Sequence, residues 1–141
     1  MTICWLSKLR HKGIRPTKQR LAIAHFLFNG GDRHLNAEDV FEELHMQGSD
    51  ISLATVYNTL NQFTKAGLLR QITVDSQKSY FDTNISDHHH YYFEDEQKLV
   101  DIPSECLVVS NMPNIPEGTE IARVDVVIRL QNKKRPNFLP F

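Results

Sequence analysis

The sequence predicts an α+β protein, because three helical segments in its first half precede segments in which apolar and polar residues alternate. Its 141 residues are enough to bury a real core. Residues 1–20 carry six bases and no acid, whereas residues 86–141 carry nine acids and six bases. This polarity favours an anion-binding N-terminal part and a cation-binding C-terminal part, although a basic run is equally typical of a solvated face.

The three predicted helices are bounded by residues that start and stop helices. The first lies in "PTKQRLAIAHFLFNGG", where Pro16 suits the start and the two glycines suit the end. The second lies in "NAEDVFEELHMQG", from Asn36 as N-cap to Gly48. The third lies in "SLATVYNTLNQFTKAG", from Ser52 as N-cap to Gly67.

A predicted β-hairpin follows the helices, because "LLRQITVDSQKSYFDT" alternates on both sides of Asp75-Ser76. Helices and hairpin together predict a winged helix-turn-helix domain. An apolar stripe on the third helix would dock it and leave outward the small or amide side chains of Thr55, Asn58, Thr59 and Gln62. Such side chains can approach base edges in a major groove. An ordinary three-helix domain with a polar face shows the same periodicity.

The cysteine content and the lengths of the apolar runs exclude several classes of protein. Cys4 and Cys106 are the only cysteines and form no C-x-x-C motif, so we expect neither a disulfide framework nor a cysteine-based structural zinc site. No apolar run approaches the roughly 20 residues of a membrane span, and the N-terminus does not read as a secretory leader. We therefore expect a cytoplasmic protein with no membrane partner.

Several motifs together resemble the ferric uptake regulator (Fur) family. They are "RPTKQR", "HLNAEDVFEEL", "SLATVYNTLNQFTKAGLL" and "KSYFDT", followed by the histidines at 88–90. Within that family "YFDTN", "HHHYY" and "LVDIP" are most similar to the Irr subfamily of iron response regulators. The resemblance implies a winged-helix DNA-binding domain over 1–83, a hinge over 84–87 and a small α/β dimerisation and metal- or haem-sensing domain over 88–141.

The resemblance also implies a function and partners. Such proteins are iron- or haem-responsive transcriptional regulators, among them repressors, that bind palindromic operator DNA as homodimers near genes of iron and haem homeostasis. A haem-synthesis enzyme is a further candidate partner. By the same resemblance Tyr57 and Asn58 face bases, Arg15 reaches a minor groove and Arg20 meets phosphate, with Thr55 on the same helix face.

The histidine run predicts a metal site. If residues 88–92 are extended, His88 and His90 lie on one face and His89 lies on the other. The resemblance supplies further ligands, so one ion would be bound by His34, Asp82, His88, His90 and Asp101. This set of nitrogen and oxygen donors favours Fe(II), Mn(II) or Zn(II). The ion would clamp the two predicted domains together.

Two further sites are predicted around the same run. Asp87 and His89 are candidates to share a second ion with Asp125. Haem iron accepts histidine, so His88, His89 and His90 are also candidate haem ligands. Cys4 is followed by Trp5 and not by the proline of the haem regulatory motif, which argues against an N-terminal haem site. A polar loop is the alternative interpretation of the run.

The C-terminal part predicts a dimer core. Pro103, Pro113, Pro116 and Gly118 lie between Ile102 and Glu120, and they indicate that the longer helix of the family is reduced there to a short turn. The following "IARVDVVIRL" is predicted as a strand with one apolar face, formed by Val124, Val126, Ile128 and Leu130.

Two other functions fit part of the same sequence pattern. Two histidines and a carboxylate also form the ligand set of non-haem iron oxygenases. The sequence offers no additional general base or barrel pattern, so we expect no enzyme. The other alternative is a protein that buffers iron, manganese or zinc and has no DNA role.

Overall fold

The fold was analysed in a computed structural model, which describes residues 4–75 and 78–134. The chain divides into two compact units, Met1–Ser86 and Asp87–Phe141. Both units contain sheet, and the helices longer than one turn lie in the first, so the predicted α+β class is confirmed. Ser76 of the predicted hairpin turn lies outside the described residues.

The first unit contains four helices and a small antiparallel sheet. Its helices are α1 (Trp5–His11), α2 (Lys18–Phe28), α3 (Ala37–Met46) and α4 (Leu53–Lys65), and its strands are β1 (His34–Leu35), β2 (Arg70–Asp75) and β3 (Lys78–Asp82). The strand order is β1-β3-β2, and both pairings are antiparallel. The three predicted helices and the predicted hairpin are therefore present, and α1 is an additional helix.

Helices α2, α3 and α4 begin at side chains that cap them. Thr17 Oγ1 accepts the backbone N–H of Arg20 at 3.2 Å, and Ser52 Oγ accepts that of Thr55 at 3.2 Å. Asn36 Oδ1 accepts the backbone N–H of Asp39 at 2.7 Å. Each bond satisfies a donor that the first helical turn leaves without an intrahelical partner.

Helix α4 packs on the unit through a stripe of buried residues. Val56, Leu60 and Phe63 are fully buried, at 0% exposure. Thr59 is also buried, at 2% exposure, so its prediction as an outward side chain was wrong. Its position explains this: residues 56, 59, 60 and 63 follow the i, i+3, i+4, i+7 spacing of a single helix face.

The second unit is a three-stranded mixed sheet. Its strands are β4 (His89–Phe93), β5 (Lys98–Ile102) and β6 (Val127–Leu130), in the order β5-β4-β6. Strand β4 pairs antiparallel with β5 and parallel with β6. A short 3-10 helix, Ser104–Cys106, follows β5. Tyr92, Leu99 and Ile102 are the buried apolar residues of this sheet.

Strand β6 is shorter than the predicted strand over 121–130. In the ladder with β4, Val127 is the first paired residue and lies opposite His90, next to the start of β4. Residues 121–125 therefore precede the ladder, whereas the carbonyl of Val126 still accepts the backbone N–H of His90 at 3.1 Å. Val124, Val126, Ile128 and Leu130 are half-buried while Asp125 and Arg129 are exposed, as the predicted alternation requires, but Val127 is also half-buried and interrupts it.

No helix in residues 4–75 and 78–134 has the length and the apolar content that crossing a membrane would require.

Candidate metal centre and nucleic-acid interface

The second unit contains a cluster of two imidazoles and one carboxylate, which we call the His88–His90–Asp101 cluster. The Nε2 atoms of His88 and His90 both lie 3.3 Å from Asp101 Oδ1. The two rings are 4.5 Å apart between centroids. His90 and Asp101 are direct partners in the β4–β5 ladder, which explains why these side chains meet.

Burial makes this cluster chemically distinctive. His88 and His90 are 7% and 2% exposed, whereas the Asp101 side chain is 43% exposed. A buried imidazole needs a partner, and here each has the same carboxylate oxygen within reach. Two imidazole nitrogens and one carboxylate oxygen converge, which is the donor chemistry of Fe(II), Mn(II) and Zn(II) sites.

The first unit contains a separate imidazole–carboxylate pair. His34 Nε2 lies 3.5 Å from Asp82 Oδ2, and the two residues are register partners in the β1–β3 ladder. Asp82 is fully buried, and its Oδ1 accepts the backbone N–H of Asn84 at 2.9 Å. Next to the pair, the Arg33 N–H donates to Thr83 Oγ1 at 3.0 Å, which fastens the end of this ladder.

The residues of the predicted second ion site have different surroundings. Asp87 and His89 line one cavity of the second unit. His89 Nδ1 accepts the backbone N–H of Val126 at 3.1 Å, so any ligand of this imidazole must bind Nε2. Asp125 Oδ2 accepts a hydrogen bond from Arg123 Nε at 2.8 Å. Within 4–75 and 78–134, Asp87, His89 and Asp125 do not converge as a ligand group.

The predicted base-reading residues lie on the exposed side of α4. Tyr57 and Asn58 are exposed, and Thr55 is half-buried. Thr55 Oγ1 accepts a hydrogen bond from the capping hydroxyl of Ser52 at 3.0 Å, so this side chain also belongs to the helix cap. The Tyr57 hydroxyl donates to Glu38 Oε1 at 2.5 Å, and this hydrogen bond raises the pKa of the Tyr57 phenol.

Arg15, which was predicted to reach a minor groove, and Arg20, which was predicted to meet phosphate, line one depression, which we call the basic groove. Arg20 Nη1 donates to the backbone carbonyl of Arg15 at 2.7 Å, which holds the two arginines side by side. The lining contains four cations and no acid, and consists of Lys12, Gly13, Ile14, Arg15, Arg20, Gln62, Lys65 and Ala66. Such a surface attracts phosphate. Lys65 was missed in the sequence, because it joins the N-terminal bases only through the packing of α4.

A sequence model of the Ferric uptake regulator family matches residues 11–128. The ferric uptake regulation protein of Pseudomonas aeruginosa is 32% identical over 130 residues, which are 91% of this chain and 97% of that protein. The one of Bordetella parapertussis is 41% identical over 83 residues, 59% of this chain and 60% of that protein. The chain thus spans less than two thirds of the Bordetella relative.

Solved structures give the same result. The ferric uptake regulator of P. aeruginosa with manganese superposes with a TM-score of 0.68 at 28% identity, covering 91% of this chain and 97% of that one. The ferric uptake regulator of Francisella tularensis with iron superposes with a TM-score of 0.69 at 25% identity, covering 86% of this chain and 93% of that one. A family match over most of the chain, a 32% identical relative covered almost end to end and these superpositions agree: the chain belongs to the ferric uptake regulator family.

Proposed function

We propose that this protein is a metal-responsive transcriptional regulator that binds palindromic operator DNA as a homodimer. In this proposal the first unit is a winged helix-turn-helix domain, α4 enters the major groove and the basic groove meets phosphate. The observation that carries the proposal is the convergence of His88, His90 and Asp101 in a member of this family. The relatives solved with manganese and with iron support ions of the same class.

One ion is proposed to use ligands from both units, which are His34, Asp82, His88, His90 and Asp101. Each of these five side chains offers an imidazole nitrogen or a carboxylate oxygen, and such donors suit Fe(II), Mn(II) and Zn(II). This ligand set contains neither of the chain's two cysteines, Cys4 and Cys106, which are both exposed. An ion bound by both units favours the arrangement of the units for which its affinity is higher, and in this way it would control DNA binding.

Iron is the proposed regulatory signal, as the resemblance to the Irr subfamily implies, and haem is the proposed second effector. Haem requires one or two axial ligands and no carboxylate. His89 suits it best among the three histidines, because it lines a cavity with the apolar side chains of Val109, Met112 and Ile121. The haem-synthesis enzyme stays a proposed partner on the resemblance alone.

The proposal is tested by operator selection. A pool of random duplexes is selected with the Mn(II)-loaded protein, and the recovered sequence is titrated with and without Fe(II), Mn(II) and haem. We expect a palindrome, salt-dependent binding and a change of affinity with metal. If the protein binds metal tightly but enriches no DNA sequence, it is a metal buffer instead. If it turns over a substrate with Fe(II) and oxygen, it is an enzyme.

Lys65→Gln is expected to weaken binding to operator and random DNA alike, because Lys65 is proposed to contact phosphate and no base. The slope of log K against log salt should fall by about one unit per lost phosphate contact. Lys98→Gln is the matched control, since Lys98 is exposed on β5 of the other unit. An unchanged slope for Lys65→Gln, measured by fluorescence anisotropy, would exclude the basic groove from the interface.

A further inference from the structure

An acidic side chain, Glu38, is hydrogen-bonded to Tyr57 on the face of α4 that is proposed to read bases. Glu38 lies in the first turn of α3, and its Oε1 accepts the Tyr57 hydroxyl of α4 across 19 residues of sequence. The distance of 2.5 Å is that of a hydroxyl donating to a carboxylate, which is among the stronger hydrogen bonds in proteins. A carboxylate is unexpected on a surface that meets phosphate, because the two repel each other.

Neither the Glu38 carboxylate nor the Tyr57 hydroxyl is buried, so neither needs this hydrogen bond to replace a lost bond to water. Glu38 is exposed and Tyr57 is 38% exposed, so water could satisfy both groups. A bond between two hydrated groups adds little net stability, because it replaces bonds to water. Its main consequence is therefore orientation: the Tyr57 ring is held against α3, and its hydroxyl hydrogen points at Glu38.

The bond determines what the phenol can offer to a base. A tyrosine hydroxyl has one hydrogen, and donating it to Glu38 leaves only acceptor lone pairs and the ring. In the major groove guanine presents only acceptors, whereas adenine and cytosine present amino donors and thymine presents a methyl group. Tyr57 held by Glu38 can thus accept from an amino group or pack on a methyl group, but it cannot donate to guanine.

The surroundings are consistent with a base-reading role. Glu38 and Tyr57 line a groove between α3, α4 and the β2–β3 hairpin, together with Asn36, Asn61, Gln71, Lys78, Ser79 and Phe81. Apart from Glu38, this lining is neutral except for Lys78. Among the described residues, the only carboxylate in this lining is therefore that of Glu38, which accepts the hydrogen bond from Tyr57.

We infer that Glu38 is a specificity-determining positioning residue, which accepts the Tyr57 hydroxyl hydrogen and thereby excludes guanine as the base that Tyr57 contacts. The inference rests on the proposed DNA-binding function. By this inference α3 affects which base is preferred, because its Glu38 fixes the hydroxyl of Tyr57 on α4.

The test measures base preference. The selected operator is substituted at each position, and the parent protein is compared with Glu38→Ala, Glu38→Gln and Tyr57→Phe. Glu38→Ala releases the hydroxyl, so guanine at one position should improve by about tenfold relative to the parent's preferred base. Glu38→Gln keeps an acceptor and should retain the parent's preference. Tyr57→Phe cannot donate, so guanine should stay excluded, and adding Glu38→Ala to it should change nothing.

Asp39→Asn is the matched control. Asp39 is an exposed acid in the same first turn of α3, so its substitution removes the same charge without touching the tyrosine bond. An equal shift in Asp39→Asn and Glu38→Ala, or no shift in Glu38→Ala, would overturn the inference and leave the proposed function intact. A parent protein that selects no sequence would overturn both. Thermal unfolding verifies that each variant is folded, and if Glu38→Ala does not fold, loss of guanine exclusion in Glu38→Gln contradicts the inference.

Discussion

His90→Ala is expected to lower the affinity of the protein for Mn(II) by about 100-fold, since even residues that only orient metal ligands contribute about 10- to 100-fold. His90 is 2% exposed, and its Nε2 converges with that of His88 on Asp101 Oδ1. The alanine removes one of the two nitrogen donors of the His88–His90–Asp101 cluster and leaves each unit folded, because β4 keeps its backbone pairing. Calorimetric titration with Mn(II) measures the effect.

His89→Ala is the control for this prediction. Its Nδ1 accepts the Val126 N–H, and its neighbours on β4 turn their side chains to the opposite face of the sheet. We expect its Mn(II) affinity to stay within about threefold of the parent's, a change of less than ~1 kcal/mol. Equal losses in His90→Ala and His89→Ala would show that the His88–His90–Asp101 cluster is not the metal site.

Asp82→Ala separates a shared ion from one bound by the second unit alone. If the ion uses His34 and Asp82 as well, this change in the first unit should lower Mn(II) affinity and alter operator binding with it. Haem binding should survive, because haem needs no carboxylate ligand. Mn(II) affinity equal to the parent's would restrict the ion to the His88–His90–Asp101 cluster.

Residues that cap or terminate helices were sufficient to predict α2, α3 and α4 from the sequence. An N-cap such as Ser52 and a terminating glycine such as Gly67 act within one turn of the residues that they organise. Gly67 has a φ of +79°, the left-handed conformation that ends α4. The predicted alternation of the histidine run likewise follows from strand geometry alone. The orientation of Thr59 was predicted wrongly, because the prediction relied on its small polar side chain and not on its position on the buried face of the helix.

Contacts between distant residues could not be predicted in this way. The extent of β6 depends on where β4 begins, and no property of "IARVDVVIRL" contains that information. That His90 and Asp101 share a site was predicted from the family resemblance and not from spacing, and the register that sets them opposite each other was not predicted. The Glu38–Tyr57 bond and the position of Lys65 beside Arg20 arise when α3, α4 and the N-terminal residues pack together.

The second unit exposes several large apolar side chains that suit the proposed dimer interface. Five of its large apolar side chains are at least 40% exposed: Val108, Val109, Met112, Ile115 and Ile121. Val109, Met112 and Ile121 line one cavity, so part of this apolar area is contiguous. Contiguous exposed apolar surface marks interaction sites. Strand β6 lies at an edge of its sheet and carries the half-buried Ile128.

Ile128→Asp is therefore expected to convert the proposed dimer into a monomer. In a monomer the new carboxylate at this half-buried position can reach water, but in a dimer packed on this face it would be buried without a partner, at a cost of several kcal/mol. Sedimentation velocity at micromolar protein should show the mass halved, and operator affinity should fall because a palindrome needs two recognition helices. Met46→Asp is the control, since it adds the same charge at an apolar side chain that is 86% exposed in the first unit. A dimer mass retained by Ile128→Asp would place the interface elsewhere on the second unit, and loss of the dimer in both variants would show that the added charge acts without regard to position.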